Sequence, residues 1–375
     1  MDLSEFLDGQ GVDLSTVTRA VTDRLGRAGD DRLLAVGSVV EGLGNQKSDL
    51  DMMLVTPRTA ETGTGAVTVV VGRCLVDVQI LPFTEVQLLL DRFDTWRAAP
   101  WDVARSAGFR LEERTVLHRL RHGVPLYDTD GQAAERFPAL VDLARLRYHA
   151  ARQNARTIQV DMVGYREVGD FRSLAFATAD LLGQAVDALL AGYGLTNPLF
   201  KWRSRLLDML PADWASELGI RCRGTSAGDH AWNLHRGPER PDKAGVITQA
   251  YEVTAFTRSV FVWADRTLLG RGRSVPRGAA TWDDTGDALP ALVFDVDVQP
   301  TPDGAVVGRL NEFGRTRTLS VEELGLALLL DGRTTAAGAL STVLPGAAEG
   351  PEMLRRLVGE LTAIGFCANE LMDVS

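Results

Sequence analysis

Residues 36–55 read VGSVVEGLGNQKSDLDMMLV and include parts of two apolar runs, 33–36 and 52–55, that are typical of buried strands. Asp49 and Asp51 come directly before the second run. Residues two apart in a strand share a face, so we expect these two carboxylates to point the same way. Neighbouring carboxylates repel each other unless a cation lies between them, and Mg²⁺ prefers oxygen ligands. The stretch therefore predicts a magnesium site.

Gly37 and Ser38 follow the first apolar run. Glycine lets the backbone approach a ligand closely. Ser38 is placed to open a short helix, whose free N–H groups would receive a phosphate. Together with the two aspartates, these residues predict a site for a metal-bound triphosphate.

The stretch has Gly-Ser at 37–38, Gly42, and Ser-Asp-Leu-Asp at 48–51. This pattern resembles the signature of the DNA polymerase β-like nucleotidyltransferase superfamily, and it is most similar to the small-molecule branch typified by aminoglycoside nucleotidyltransferases. That family needs a third carboxylate on a neighbouring strand. Asp77 is the candidate, because it stands in the middle of the apolar run 74–80, where an unpartnered charge would be costly.

The resemblance implies transfer of a nucleoside monophosphate from an NTP, with ATP as the expected donor, to a hydroxyl of a small-molecule or natural-product acceptor, with release of pyrophosphate. It implies that Asp49 and Asp51 bind the Mg²⁺ that holds the triphosphate and that Asp77 joins them on a second Mg²⁺. The expected nucleotide-binding residues are Gly37, Ser38, Lys47, Ser48 and Arg73.

The length of 375 residues predicts two or three domains. We expect an α/β nucleotidyltransferase catalytic domain with a mixed sheet over residues 1–130 and an α-helical acceptor-binding domain over 131–269. A linker rich in Gly, Arg, Pro and Asp follows at 270–290. Residues 291–375 are expected to form a small α+β winged-helix-like domain.

Hydrophobic periodicity predicts the secondary structure. Strands are expected at 33–36, 49–55, 66–71, 75–80, 292–298, 305–310 and 316–319, with a hairpin turn at 72–74. Helices are expected at 12–28, 84–96, 111–120, 139–160, 171–190, 199–209, 243–268, 321–330, 335–343 and 351–364.

The helical region offers candidate acceptor contacts. Lys201 and Arg203 would bring positive charge near the cleft, whereas the competing interpretation is a solvated basic helix face with Trp202 in the core. Asp180 stands among apolar residues of the helix at 171–190, which suits either a paired structural group or a general base.

Glu167 and Asp170 compete with Asp180 for the role of general base. The histidines look scattered apart from His230 and His235, which invite the idea of a metal site. Because no cysteine or HExxH pattern accompanies them, a loop that packs its tryptophan is the favoured interpretation.

The net charge of −10 argues against an enzyme that grips long nucleic acid by its phosphates. The first residues, MDLSEFLDGQG, lack the pattern of a signal peptide, and we find no run near 18 apolar residues. We therefore expect a cytoplasmic protein with no membrane partner. Cys74, Cys222 and Cys367 are too far apart to indicate a disulfide framework or a zinc site.

The C-terminal region resembles PqqD-like winged-helix domains, which bind leader peptides in ribosomal peptide biosynthesis. The resemblance is carried by LLDGRT at 329–334 and LTAIGF at 361–366. It implies that a peptide adds as a strand to the sheet edge. The alternative is an appendage that packs on the helical domain or forms a homodimer. DNA binding is disfavoured, because Glu322 and Glu323 stand where a recognition helix would be basic.

Two alternative functions stay open. The acceptor could be a peptide or protein in ribosomal peptide natural-product biosynthesis, with the C-terminal domain binding the leader. The chain could also be a non-catalytic nucleotide-sensing or interaction protein on the same fold.

Overall fold

The structure, a computed structural model, describes the following ranges: 1–26, 30–57, 65–99, 108–127, 137–220, 222–237, 242–272, 286–312 and 314–368. Within them the chain is a mixed α/β protein with a mixed sheet and helical parts, which confirms the predicted fold class at that level. The chain divides into two compact units. Unit 1 comprises Met1–Leu146 and Thr196–Trp202, and unit 2 comprises Arg147–Leu195 and Arg203–Ser375.

The predicted three-domain division stays a prediction. The boundary at 130–131 and residues 273–285 of the predicted linker lie outside the described residues. The long helical region and the C-terminal elements both fall in unit 2.

Unit 1 contains four helices within its described residues and one five-stranded sheet. The helices are α1 (Leu3–Gln10), α2 (Leu14–Leu25), α3 (Phe83–Arg97) and α4 (Leu111–His122). The strands are β1 (Arg32–Val36), β2 (Leu50–Thr56), β3 (Gly65–Val71), β4 (Cys74–Pro82) and β5 (Val124–Tyr127).

Helix α1 is missing from the sequence prediction. It begins at Asp2, whose side chain accepts from the Glu5 N–H at 2.9 Å while the Glu5 carboxylate accepts from the Asp2 N–H. This reciprocal cap ties down a helix of only eight residues. Helix α2 is capped by Asp13, whose side chain accepts from the Thr16 N–H at 2.8 Å.

The sheet has the strand order β3–β4–β2–β1–β5. Strands β2 and β4 run parallel, and the other neighbours run antiparallel. The predicted hairpin is confirmed, because β3 and β4 pair antiparallel with Val71 opposite Cys74. This arrangement places β2 in the middle of the sheet.

Strand β2 is buried on both faces, as expected of a nearly continuous apolar run. Leu50, Met52 and Leu54 belong to the core that α1 and α2 cover. Met53 and Val55 belong to a second core, which contains Phe93 and Trp96 of α3 and Leu117 of α4. The two cores fix the register of β2, since a one-residue slip would exchange its two faces.

Unit 2 contains a helical region, which begins with a helix that starts in unit 1. Its helices are α5 (Leu140–Glu167), α6 (Phe171–Gly192), α7 (Arg203–Leu207), α8 (Trp214–Leu218), α9 (Ala227–Arg236) and α10 (Lys243–Leu269). A 3₁₀ turn, Phe200–Trp202, precedes α7 and belongs to unit 1. The helix predicted at 199–209 is therefore split into two short pieces.

The C-terminal part of unit 2 contains two small sheets and three helices. The strands are β6 (Ala291–Leu292), β7 (Val296–Thr301), β8 (Gly304–Arg309), β9 (Thr316–Leu319) and β10 (Cys367–Ala368). The helices are α11 (Val321–Ala327), α12 (Ala336–Val343) and α13 (Gly350–Ala363). Strands β7, β8 and β9 form an antiparallel sheet in that order, and β6 pairs with β10.

The strand predicted at 292–298 is broken into β6 and β7, and side chains explain the break. Buried Asp295 accepts from Nε of Arg309 at 3.0 Å. The carbonyl of Val293 accepts from the guanidinium of buried Arg258, which also donates to the Val296 carbonyl at 3.0 Å. The buried arginine thus supplies hydrogen bonds to the backbone between the two strands.

Helix α6 is long and apolar enough to cross a membrane by length and composition alone. Its most apolar 18-residue window has a mean hydropathy of 1.4, and 56% of that window is buried inside the protein. A core helix of a soluble protein passes the same test, so this helix gives only weak evidence for a membrane span. The predicted cytoplasmic location stays a prediction.

The three cysteines are free thiols. Cys74 and Cys367 are buried, and Cys222 is partly buried. No disulfide links them.

Candidate active site

Gly37 lies directly against the carboxylate of Asp51. It follows the end of β1 with a φ of 81°, a left-handed conformation that favours glycine. A β-carbon at this position would lie 2.2 Å from Oδ2 of Asp51. The absence of a side chain at Gly37 therefore leaves room for the Asp51 carboxylate.

Asp51 and Asp77 lie opposite each other on neighbouring parallel strands. The register of β2 and β4 makes them Cα partners. The carboxylate of Asp77 accepts a hydrogen bond from Oγ1 of Thr68 on β3 at 2.7 Å. Asp49 precedes β2, two residues before Asp51. The fold thus brings two of the three predicted metal ligands to the same level of the sheet.

Arg119 of α4 is a cationic partner of Asp51. Its Nη2 donates to Oδ1 of Asp51 at 3.0 Å, and its Nη1 donates to Oε1 of Gln79 at 3.0 Å. Burial raises the pKa of Asp51, and the charges of Asp49 and Asp77 raise it further. Arg119 and, more weakly, Lys201 act in the opposite direction, but the net shift is upward. Asp51 is therefore a half-buried carboxylate whose charged form burial disfavours more than Arg119 favours it.

The donor set matches a hard divalent cation in its chemistry, because it consists of carboxylates with Gly37 leaving space beside one of them. In the described part of the chain, however, no three His, Cys, Asp or Glu side chains stand close enough to hold a metal ion. The carboxylates of Asp51 and Asp77 instead bond to Arg119 and Thr68. Metal binding would require these side chains to rotate toward a common point.

Three of the predicted nucleotide-binding residues line one cavity with a volume of about 730 Å³. These residues are Lys47, Ser48 and Arg73, and Asp49 lines the same cavity. Arg73 also donates to the Gly9 carbonyl at 3.1 Å. The cavity lining does not include Gly37 or Ser38, so the predicted nucleotide-binding residues fall into two groups.

The prediction of a short helix after Ser38 is wrong. Residues 37–42 form turns instead, in which the N–H groups of Leu43 and Gly44 both donate to the Ser38 carbonyl, at 2.8 and 2.9 Å. Gly42 has a φ of 73°, which a helix does not accept. Ser38 itself is buried.

A hydrogen-bonded cluster in unit 1 was missed by the sequence analysis. His118 Nε2 donates to Oε2 of Glu41 at 2.9 Å, since a carboxylate can only accept. Nδ1 of His118 lies 3.0 Å from the Thr196 hydroxyl oxygen, which also lies 3.1 Å from Nε2 of His122, so Thr196 hydrogen-bonds to both rings. Asn197 donates to the same Glu41 oxygen at 2.9 Å.

This cluster fixes the charge on Glu41. Burial raises the pKa of Glu41, but the hydrogen bond and charge of His118 and the hydrogen bond of Asn197 outweigh it, so the pKa is lowered. Burial and the charge of His118 lower the pKa of His122. One signal was readable in the sequence: His118 and His122 are four residues apart on one helix, and their ring centroids lie 4.4 Å apart. The description of the histidines as scattered was wrong.

The predicted acceptor contacts have different environments. Lys201 belongs to unit 1, where its charge lowers the pKa of Asp51. Arg203 belongs to unit 2 and forms a two-pronged ion pair with Asp187, at 2.9 and 2.6 Å. Trp202 is only partly buried, so its predicted place in the core is wrong.

The candidate general bases are exposed. Asp180 lies on the exposed side of α6 rather than among its buried apolar residues, and Glu167 is exposed as well. Asp170 is the N-cap of α6 and accepts from the Ser173 N–H at 3.1 Å. None of the three has the buried environment that the sequence suggested for a general base.

The loop predicted at residues 229–235 is a helix, α9, and its tryptophan does not pack inside. Trp232 is 62% exposed, whereas His230 is buried on the opposite side of the helix. The pattern DHAWNLH places His230 and Leu234 four residues apart, on the buried face.

No protein-family model matches the chain, and no curated protein is significantly similar to it.

Proposed function

We propose that the chain is a metal-dependent nucleotidyltransferase. It transfers a nucleoside monophosphate from an NTP to a hydroxyl of a small-molecule or natural-product acceptor, and pyrophosphate leaves. The proposal includes the finer fold assignment: a nucleotidyltransferase domain built on the sheet of unit 1, followed by a helical acceptor-binding domain and a winged-helix-like C-terminal domain.

One observation carries the proposal. Asp51 and Asp77 are paired on adjacent strands, and a glycine in a left-handed conformation lies against Asp51 where any side chain would clash. Burying carboxylates side by side is unfavourable unless a cation compensates their charge. Arg119 balances the charge of Asp51, and a metal ion held between the two carboxylates would balance the other charge.

The residues have separate roles in this proposal. Asp49, Asp51 and Asp77 would hold Mg²⁺, which when bound stabilises negative charge on the phosphate oxygens. Arg119 contacts Asp51 and Gln79 across two strands, so it favours the ionised form of the Asp51 carboxylate and holds the side chain in place. Lys47 and Arg73 line the neighbouring cavity with Asp49, where their charges suit a polyphosphate.

Pyrophosphate release tests the proposal. Each of the four NTPs is incubated with Mg²⁺ and a set of hydroxyl-bearing acceptors, including aminoglycosides. We expect release with at least one pair for the wild type and none for Asp51→Asn. Binding of an NTP without release on any acceptor would favour a non-catalytic nucleotide sensor instead.

A second candidate acceptor is a peptide. The specific observation in its favour is the antiparallel sheet β7–β8–β9 followed by three helices, because β9 is an edge strand to which an extended peptide could add. In that case pyrophosphate release would require a peptide, and mass spectrometry would detect a nucleotide on its hydroxyl side chains.

A further inference from the structure

A cavity of about 520 Å³ opens in unit 2 between α9, α10 and the segment that connects α11 to α12. This volume lies in the range of small-molecule binding sites. One part of the wall is apolar and includes Phe256, Leu328 and Leu329. The other part is polar and charged, so the cavity would suit a ligand that has an apolar part and a polar part.

Two arginines of the cavity share one buried carboxylate. Arg223 Nη2 lies 2.7 Å from Oε1 of Glu252, and Nε of Arg333 pairs with the same oxygen atom. The side chain of Glu252 is only 9% exposed, whereas Arg333 is 48% exposed. Each guanidinium has five N–H donors, so convergence on one oxygen leaves donors of both arginines available to a ligand.

His230 adds an unused donor at the cavity wall. The residue is 5% exposed, and its Nδ1 accepts from the backbone N–H of Arg223 at 2.9 Å. The neutral ring therefore carries its proton on Nε2, which is buried and has no hydrogen-bond partner among the described residues. Burial, followed by the charge of Arg223, lowers the pKa of His230 to about 4, so the ring is neutral near pH 7.

An unpaired buried donor is costly, and such groups in proteins usually have a partner. The rings of Trp214 and Phe256 lie close to the His230 ring, at centroid distances of 5.4 and 5.1 Å. Neither ring supplies an oxygen acceptor. Because Nε2 has almost no accessible surface, a ligand oxygen in the cavity would complete the hydrogen bonding of His230 only after a local shift of the cavity wall.

The charged residues that line the cavity limit the charge that a ligand could carry. Arg223 and Arg333 are balanced by Glu252 and Asp331, and the Asp331 carboxylate is already used by the N–H groups of residues 333 and 334. The described lining residues therefore carry no excess positive charge, which disfavours a phosphate dianion more than a singly charged ligand. A carboxylate carries a single charge, and its two oxygens match the planar fork of a guanidinium.

We propose that this cavity binds a small amphipathic carboxylate. Its carboxylate accepts from the guanidinium of Arg333 and, after a local shift of the cavity wall, from Nε2 of His230, and its apolar body lies against Phe256, Leu328 and Leu329. This site is independent of nucleotidyl transfer, since all of its residues belong to unit 2.

Calorimetric titration of the full chain tests the proposal with two acids, 3-phenylpropionate and octanoate, and with their neutral amides. We expect at least one acid to bind roughly tenfold or more tightly than its amide, which corresponds to about 1.4 kcal/mol. Arg333→Gln should remove that preference. Arg355→Gln is the matched control, because it makes the same charge change on an exposed arginine of α13 that pairs with Glu352.

A cavity-filling variant, Ala255→Leu, should abolish binding of acid and amide alike, because Ala255 lines the cavity and is buried. The proposal is overturned if neither acid binds at millimolar concentration, if each acid and its amide bind equally, or if Ala255→Leu leaves binding unchanged. Should Arg333→Gln fail to fold, the acid and amide comparison and Ala255→Leu still decide the question.

Discussion

Gly37 and Asp51 are in such close contact that a β-carbon on Gly37 would lie 2.2 Å from the Asp51 carboxylate oxygen. The contact joins the end of β1 to β2, where the two strands pair Val36 with Asp51. Any side chain at position 37 would therefore displace Asp51. This relationship provides the sharpest test of whether the two residues work as a unit.

Gly37→Ala should abolish NTP binding and turnover while the protein stays folded. The substitution adds backbone strain of about 1 kcal/mol at positive φ, and in addition it pushes the Asp51 carboxylate away. Gly42→Ala is the matched control, because Gly42 has a similar φ of 73° but a β-carbon there would meet no atom of the described residues within 4 Å. Equal loss of NTP binding in both variants would show that backbone strain, not contact with Asp51, is responsible.

Arg119→Gln should lower the free energy of unfolding by about 1–3 kcal/mol, because it leaves the half-buried Asp51 carboxylate without its cationic partner. We also expect Mg²⁺ alone to raise the melting temperature of this variant more than that of the wild type, since a bound cation would replace the lost positive charge. Arg97→Gln, at an exposed ion pair with Asp94, is the control. A response to Mg²⁺ that is the same in all three proteins would contradict a cation site at Asp51.

Thr196→Val should cost about 1–3 kcal/mol of stability, because His118 and His122 both lose their hydrogen bond to the Thr196 hydroxyl. Thr95→Val removes a threonine hydroxyl that donates to the Asp91 carbonyl on an exposed helix face, and it should cost much less. Urea unfolding measures both variants. If the two costs are alike, the hydrogen bonds of Thr196 to His118 and His122 do not stabilise the folded protein.

His230 makes the stability of the protein dependent on pH. Its pKa is lowered to about 4 in the folded protein, from 6.5 for an unperturbed histidine, so the unfolded chain binds more protons between these values. The stabilising effect of the neutral ring is therefore complete above about pH 6.5 and is lost as the pH falls toward 4, by about 3 kcal/mol in total. His230→Asn should remove this part of the pH dependence. Wild-type and variant unfolding free energies that fall in parallel from pH 7.5 to 4.5 would contradict this assignment.

Much of unit 1 could be predicted because its signals are local. The strand that carries Asp51 is a nearly continuous apolar run, and Gly72 between two apolar runs predicts the hairpin turn. In contrast, the partners of the charged residues could not be predicted. Arg119 reaches Asp51 from 68 residues away along the chain, and Glu41 meets His118 across 77 residues. Periodicity reports which face of an element is buried, but not which element lies opposite.

The same limit explains the errors in the helical region. Asp180 stands between apolar neighbours in sequence. In the structure, however, its side chain is exposed, and the buried residues of α6 lie on another face of the helix. Apolar and polar residues alternate well along the predicted strand at 292–298, but buried Arg258 donates hydrogen bonds to carbonyls of this segment. In both cases the deciding interaction comes from a residue distant in sequence.

The central claim is that Asp51 and Asp77 form a site for a metal-bound NTP. The most direct measurement is the melting temperature with each of the four NTPs, with and without Mg²⁺, for the wild type, Asp51→Asn, Asp77→Asn and the exposed control Asp94→Asn. A nucleotide at 100 times its Kd should add about 2.7 kcal/mol of stability. We predict that one NTP stabilises the wild type and the control only when Mg²⁺ is present, and that both site variants lose this effect. Stabilisation that is independent of Mg²⁺, or that survives in Asp51→Asn, would contradict the claim.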